Sequence, residues 1–266
     1  MDPKQLERLC TDASKIIKQV GQFIKSERGK VSSDLIEEKG LNSLVSYVDK
    51  TAEIKLVEGL RKLIPESAFL TEEETVRQAS GKYRWIIDPL DGTTNFLHQL
   101  PYFAVSVALE VDGIIQMGIV YEPNLDELFY AWKDSGSFMN DKPIHVSTTK
   151  KLQDCLIATG FPYHDFNLEK QYFKAFNHFM KNTRGIRRFG AAAMDLAYVA
   201  CGRFDAFYEY GLNAWDVAAG TFIVKEAGGQ VTNFKGGNDY IFSREMIASN
   251  HHISEETLRI IKGAFK

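Results

Sequence analysis

Apolar residues recur at three- and four-residue steps at Leu6, Leu9, Ala13, Ile16, Ile17, Val20, Phe23 and Ile24, which predicts an amphipathic helix. A second helix is predicted from about Asp49 through Ala52, Leu56, Leu60 and Ile64, with Pro65 as its stop. Two short apolar runs, Ala68-Phe69-Leu70 and Trp85-Ile86-Ile87, each end abruptly near acids and read as strands. Phe103 to Leu109 and Ile114 to Tyr121 flank Asp112-Gly113, a dipeptide suited to the positive φ angles of a hairpin turn. Leu128 to Trp132 reads as a third antiparallel strand.

Beyond about Val146 the pattern changes to alternation. Strand-like Leu156-Ile157-Ala158 precedes helix-like Leu168 to Met180, and Ala191 to Ala200 reads as a helix closed by Gly202. Phe204 to Tyr208 reads as a strand and Ala214 to Ala227 as a helix closed by Gly228-Gly229. Met246 to Ser249 is the last predicted strand and Glu255 to Ile261 the last helix. The prediction is therefore a mixed α/β protein, a layered α+β sandwich in two lobes, residues 1–147 and 148–266.

The chain has 266 residues, 44% hydrophobic and 25% charged, which is long enough for a substantial core without disulfide or metal staples. Net charge is −3, which argues against binding nucleic acid through bulk positive charge but leaves room for a locally positive anion site. Cys10, Cys155 and Cys201 are scattered, which suggests reduced thiols. No apolar stretch approaches the roughly 20 residues needed to span a bilayer, and the first residues lack the pattern of a signal peptide. A cytoplasmic location, with no membrane or nucleic-acid partner, is the expectation.

The most informative stretch is Trp85-Ile86-Ile87-Asp88-Pro89-Leu90-Asp91-Gly92-Thr93-Thr94-Asn95-Phe96. A buried strand ends in a carboxylate, and Pro89 forces a turn that can aim Asp88, Asp91 and the Leu90 carbonyl at one point. Gly92 permits close backbone approach, and Gly92-Thr93-Thr94 is suited to open a short helix whose N–H groups face a phosphate. Taken alone, Asp-x-x-Asp reads equally as a capping turn, Glu72-Glu73-Glu74 as a solvated loop, and Asp216 as a helix cap. Their joint occurrence at element ends favours a shared site. Clustered carboxylates raise one another's pKa unless cations neutralise them, and hard oxygen ligands suit Mg2+. There is no thiolate cluster and no His-x-x-x-His pair, so zinc is the poorer fit.

These residues resemble the inositol monophosphatase family of Mg2+-dependent, lithium-sensitive phosphatases. The resemblance rests on the Trp85–Phe96 stretch and on Trp215-Asp216-Val217-Ala218-Ala219-Gly220. It extends through Gly190-Ala191-Ala192, Glu209 and Glu226-Ala227-Gly228-Gly229, in order from about Asn42 to Ser249. It implies the layered fold of that superfamily, a homodimer, and two to three Mg2+ ions per site. Glu72, Asp88 and the Leu90 carbonyl would hold a first metal, Asp88, Asp91 and Asp216 a second, and Glu72 with waters a weaker third. Thr93, helped by Asp49, would orient the attacking water. The N–H groups of Gly92 and Thr93 would hold the phosphate, and Glu73 would support the metal site.

Two departures from the family pattern stand out. Thr71-Glu72-Glu73 replaces a common Gly-Glu-Glu, and Ser43-Leu44-Val45-Ser46 replaces Asp-Leu-Val-Thr ahead of Asp49; Lys39 matches a family lysine only loosely.

Glu209 lies seven residues before Asp216, and the resemblance implies that it reaches sugar or inositol hydroxyls; a carboxylate is a good double acceptor for vicinal diols. Ala192, the Gly160-Phe161-Pro162 loop and the Arg187-Arg188 pair are further candidates for the pocket or its rim. The leading expectation is hydrolysis of myo-inositol monophosphates, a small phosphorylated polyol substrate, without a covalent phosphoenzyme. A sugar-phosphate, histidinol-phosphate or NADP phosphatase is the alternative, and Glu209 disfavours adenosine nucleotides. A regulatory binding protein without catalysis is a third reading, opposed by retention of Glu72, Asp88, Asp91, Thr93 and Asp216.

Overall fold

The structure is a computed structural model that describes residues 1–32, 36–40, 43–161 and 166–266, with the side chains of residues 36, 39, 40 and 43 left aside. The expectations placed on Pro162 and on the side chains of Lys39 and Ser43 therefore lie outside the described residues.

The first helix, α1, spans Pro3–Glu27. Asp2 and Gln5 form a reciprocal capping box, with Asp2 Oδ1 accepting from the Gln5 N–H at 2.9 Å. The predicted periodicity buries Leu6, Cys10, Ala13, Ile17, Val20 and Ile24. A two-stranded antiparallel pair, β1 (Ile36–Gly40) and β2 (Ser43–Ser46), leads into α2 (Tyr47–Leu63).

A seven-stranded sheet follows: β3 (Ala68–Thr71), β4 (Tyr83–Asp91), β5 (Ala104–Val111), β6 (Ile114–Glu122), β7 (Glu127–Trp132), β8 (Ser137–Met139) and β9 (Lys142–Ile144). The strands lie in chain order, with β3–β4 parallel and every other pair antiparallel. A five-residue helix, α3 (Thr93–Leu97), sits between β4 and β5.

The second sheet has the order β11-β10-β12-β14-β13, built from β10 (Leu156–Thr159), β11 (Gly185–Arg187), β12 (Ala206–Tyr210), β13 (Gln230–Thr232) and β14 (Glu245–Ser249). Its helices are α4 (Glu169–Asn182), α5 (Ala192–Ala200), α6 (Ala214–Glu226) and α7 (Ser254–Ala264).

Side-chain burial defines five layers. Trp85, Ile87, Val105 and Ile119 face α1 and α2. Their neighbours Ile86, Ala104, Ala108 and Val120 face the opposite way, against α5 and α6. The far side of α5 and α6 packs on Ala158, Phe207, Met246 and Ala248 of the second sheet. The outer face of that sheet carries Ile157, Ala206, Tyr208 and Ile247 under α4 and α7. A strand buried on both faces needs a continuous apolar run, which is why Trp85-Ile86-Ile87 does not alternate. Helices α5 and α6 are apolar around most of their circumference because sheets cover both sides.

The predicted long elements are present, with ends displaced by a few residues. The short strands β1, β2, β8, β9, β11 and β13 go beyond the prediction. One local expectation is corrected. Pro89 does not turn the chain out of the strand; β4 continues through Asp91, with its register against β5 shifted between Asp88 and Asp91. Proline cannot donate to a strand ladder, and an irregularity of this kind accommodates it.

Candidate active site

The C-terminal end of β4, strand β2, the N-terminal ends of α5 and α6, and the turn after β3 meet at one cavity of about 170 Å3, open to solvent. Glu72, Asp91, Gly92, Thr93, Ala192, Glu209 and Asp216 all line it. Gly160, Phe161 and Arg188 join the lining, so the loop after β10 and one member of the arginine pair reach the site. Arg187 is exposed and its Nη1 donates to the Ile186 carbonyl, outside this cavity.

Local hydrogen bonds fix several of these groups. The Leu90 N–H donates to Asp88 Oδ1 at 3.0 Å, folding the Asp88 carboxylate back over the strand irregularity. Asp91 Oδ2 accepts from the Ala193 N–H at 2.7 Å, so Asp91 ties β4 to the first turn of α5. Asp216 closes a capping box on α6, accepting from the Asn213 N–H at 2.6 Å. Asp49 does the same on α2, accepting from the Ser46 N–H at 2.9 Å. Capping and site formation are thus not alternatives for Asp216 and Asp49: the cap holds the carboxylate where the site needs it.

Thr93 Oγ1 stands 3.0 Å from both Asp49 Oδ1 and the Leu90 carbonyl, and its single proton serves one of them at a time. Gly92, which caps α3, has φ 94°, a left-handed conformation that favours glycine. Asn95 anchors the same short helix, with Nδ2 donating to the carbonyls of Tyr102 and Phe189 at 2.8 Å each.

The electrostatics are dominated by burial of acids. Burial pushes the Asp88 carboxyl well above the usual range, and the charges of Glu72, Asp91 and Asp216 push it further. Asp91 is raised to about 7, chiefly by burial, with the Ala193 N–H working in the opposite direction. Asp216 is likewise raised to about 7 by burial, moderated by the Asn213 N–H. In the same lining, burial raises Glu209 well above its ordinary value, Asp195 adds to the rise, and Arg188 counters it. Asp49 is raised by burial against the hydrogen bonds from Ser46 and Thr93.

The donor set around this cavity is carboxylate and carbonyl oxygen, the chemistry suited to a hard divalent cation. Burial makes these acids hold protons unless a cation replaces them, so the arrangement fits a metal of the Mg2+ type. Among the described residues, no three acidic, histidine or cysteine side chains already converge as a ligand set. Asp88 lies within hydrogen-bond reach of both Glu72 and Asp216, so the acids already neighbour one another.

The sequence reading missed Glu53 and Asp195. Glu53 is fully buried in α2, one turn beyond Asp49. Asp195, in α5, accepts from the Tyr102 hydroxyl at 2.9 Å and is raised to about 8 by burial. Both are acids inside helices whose neighbours are apolar, and such an acid in an otherwise buried stripe is the signal available in the sequence. Of the three glutamates after β3, Glu72 lines the cavity, Glu73 is half-buried beside it, and Glu74 is exposed.

Residues 5–263 match the model of the inositol monophosphatase family. A protein of Rhizobium meliloti named inositol-1-monophosphatase is 42% identical over 243 residues, covering 91% of each chain. A Neisseria meningitidis protein named putative Nus factor SuhB is 41% identical over 250 residues, 94% of this chain and 96% of that one. The solved structure of the Thermotoga maritima IMPase superposes with a TM-score of 0.86 at 38% identity, covering 94% of this chain and 95% of that one. On fold, site residues and likeness together, this chain belongs to the inositol monophosphatase family.

Proposed function

We propose that the protein is a Mg2+-dependent phosphomonoesterase that hydrolyses myo-inositol monophosphates to inositol and phosphate. The observation that carries this reading is one cavity that gathers acids from four separate parts of the chain. Glu72, Asp91, Asp216 and Glu209 line it together, with Asp88 buried beside Asp91 at the end of β4. Glu72, Asp88, Asp91, Asp216 and the Leu90 carbonyl are the groups that would hold two to three ions. When bound, Mg2+ supplies positive charge for the phosphoryl and leaving oxygens and acidifies a water.

The chain's own residues do the rest. With its proton given to Asp49 Oδ1, Thr93 Oγ1 has a lone pair free to accept a hydrogen bond from the attacking water. That contact fixes the line of attack. The water oxygen bonds to phosphorus as the ester P–O bond breaks, and the proton that the water gives up ends on the departing alkoxide. Gly92 and Thr93, at the start of α3, offer backbone N–H groups to the phosphate. Glu209 accepts from vicinal hydroxyls of the ring, and the Arg188 charge works against the burial that favours its protonated form. We also propose a homodimer, located in the cytoplasm, where free Cys10, Cys155 and Cys201 stay reduced.

A second reading is favoured by the names of the relatives. Proteins at 41% and 40% identity, from Neisseria meningitidis and Pseudomonas aeruginosa, carry the name Nus factor SuhB, so a role exercised through a partner stands beside hydrolysis.

The test is kcat/KM for inositol 1-phosphate, histidinol phosphate, fructose 1,6-bisphosphate, NADP and adenosine 3′,5′-bisphosphate, with Mg2+ and then with chelator. Mg2+-dependent preference for the inositol ester is expected. Preference for another ester overturns the substrate and the role of Glu209. No phosphate release from any of them overturns the enzymatic reading in favour of the second.

A further inference from the structure

We infer that Glu53 is a positioning residue that fixes the turn carrying Glu72 and thereby sets the affinity of the site for its cation. This rests on the metal reading given above. Glu53 is 0% exposed, and its carboxylate accepts four hydrogen bonds from residues 71 to 75. Oε2 takes the Glu73 N–H at 2.7 Å. Oε1 takes the Thr75 N–H at 2.7 Å, the Thr75 hydroxyl at 2.7 Å and the Thr71 hydroxyl at 2.9 Å. The donors flank Glu72 on both sides, while Glu72 itself faces the cavity.

Two further features make this more than a satisfied buried acid. Between the two pinned N–H groups lies Glu74 at φ 51°, a left-handed conformation that disfavours a non-glycine residue. The hydrogen bonds to Glu53 hold the chain on both sides of Glu74. The second feature is the helix that bears Glu53. Asp49 and Glu53 are four residues apart on the buried face of α2, and Asp49 holds Thr93 at 3.0 Å. One turn of one helix therefore spaces the Glu72 turn against the Thr93 hydroxyl. Glu72 is also tied to β4, its N–H donating to the Ile87 carbonyl at 3.3 Å, one residue before Asp88. The position of Glu72 relative to Asp88 is thus set by β4 on one side and Glu53 on the other.

The test uses the whole chain and Mn2+ as a probe, without substrate. Glu53→Gln keeps the shape but turns one acceptor oxygen into a donor that faces N–H or O–H donors. Groups that orient metal ligands without touching the metal change affinity by about 10- to 100-fold, so a rise of that size in the Mn2+ dissociation constant is expected. The Mg2+ concentration for half-maximal rate should rise in step, while kcat at saturating Mg2+ falls far less. The double variant Thr71→Val, Thr75→Val removes two donors and leaves the carboxylate intact. It is expected to weaken Mn2+ binding in the same direction by a smaller factor, and it decides the matter if Glu53→Gln does not fold. Wild-type Mn2+ affinity in the folded variants, with only thermal stability lowered, overturns the positioning role. A wild-type chain that binds no Mn2+ overturns the metal reading itself, and this inference with it.

Discussion

Replacing Gly160 by alanine should alter substrate choice while sparing the metal side of the cavity. A Cβ built on Gly160 would lie 2.0 Å from Cδ and from both carboxylate oxygens of Glu209. The closeness follows from sheet register: Thr159 of β10 pairs with Tyr208 of β12, so the next residue of each strand sits side by side. Carbon atoms pack at about 3.5–4.0 Å, so the carboxylate must retreat by about 1.5 Å. Hydrogen bonds span only about 2.5–3.2 Å between heavy atoms, and such a retreat takes Glu209 out of range of at least one ring hydroxyl. An ordinary hydrogen bond contributes about 0.5–1.5 kcal/mol, which corresponds to about 2- to 13-fold in kcat/KM.

The fold should tolerate the change. The clash falls on the end of a flexible side chain, and a Gly→Ala replacement in a compatible conformation stabilises by about 0.4–1 kcal/mol. The assay compares kcat/KM for inositol 1-phosphate and for p-nitrophenyl phosphate, an ester with no hydroxyls for Glu209, at saturating Mg2+. A selective loss on the inositol ester is expected, with an unchanged or slightly higher Tm. An unchanged inositol rate, or equal losses on both esters, refutes the role assigned to Glu209.

Two other outcomes follow from the buried acids. Asp91→Asn keeps an oxygen that can accept the 2.7 Å bond from Ala193 but removes the charge, so phosphate release should fall by orders of magnitude with an unchanged circular dichroism spectrum; a near-wild-type rate at saturating Mg2+ refutes the assignment. Asp91 and Asp216 at about 7 and Asp195 at about 8 hold protons in the folded, metal-free chain. The unfolded chain releases them near a pKa of about 3.9. From about pH 4 to 8 the folded state therefore binds more protons, and stability should decline across that window and level off above it. Thermal melts in chelator at pH 6 and 8, repeated with Mg2+, check this. Mg2+ should raise Tm more at pH 8, and a metal-free chain that gains stability from these acids as pH rises contradicts it.

The acids that line the cavity were legible because the local sequence puts them there. Asp88, Asp91, Gly92 and Thr93 lie within six residues, and the end of a buried strand forces them to emerge together. Asp216 and Asp49 were legible as helix-start residues, and the structure places both in capping boxes that also aim them at the site. Pro89 was misjudged because a proline inside a strand looks like a turn until its partner strand is known; the register shift against β5 absorbs it. Glu53 and Asp195 were missed because nothing in their own neighbourhoods shows what they meet. Their partners lie 18 to 22 and 93 residues away in the chain.

The amino-acid order alone determined the long helices, the antiparallel meander and the identity of the site's acids, because periodicity, capping and turn chemistry act over a few neighbouring residues. Only the tertiary structure decided that α5 and α6 lie between two sheets, that Arg188 rather than Arg187 reaches the cavity, and that Glu209 rests on Gly160 in the same lining as the other acids. Those relations depend on strand register and layer packing, which bring together groups separated by tens of residues. No local preference encodes them singly; they arise when the apolar faces of all five layers are buried at once.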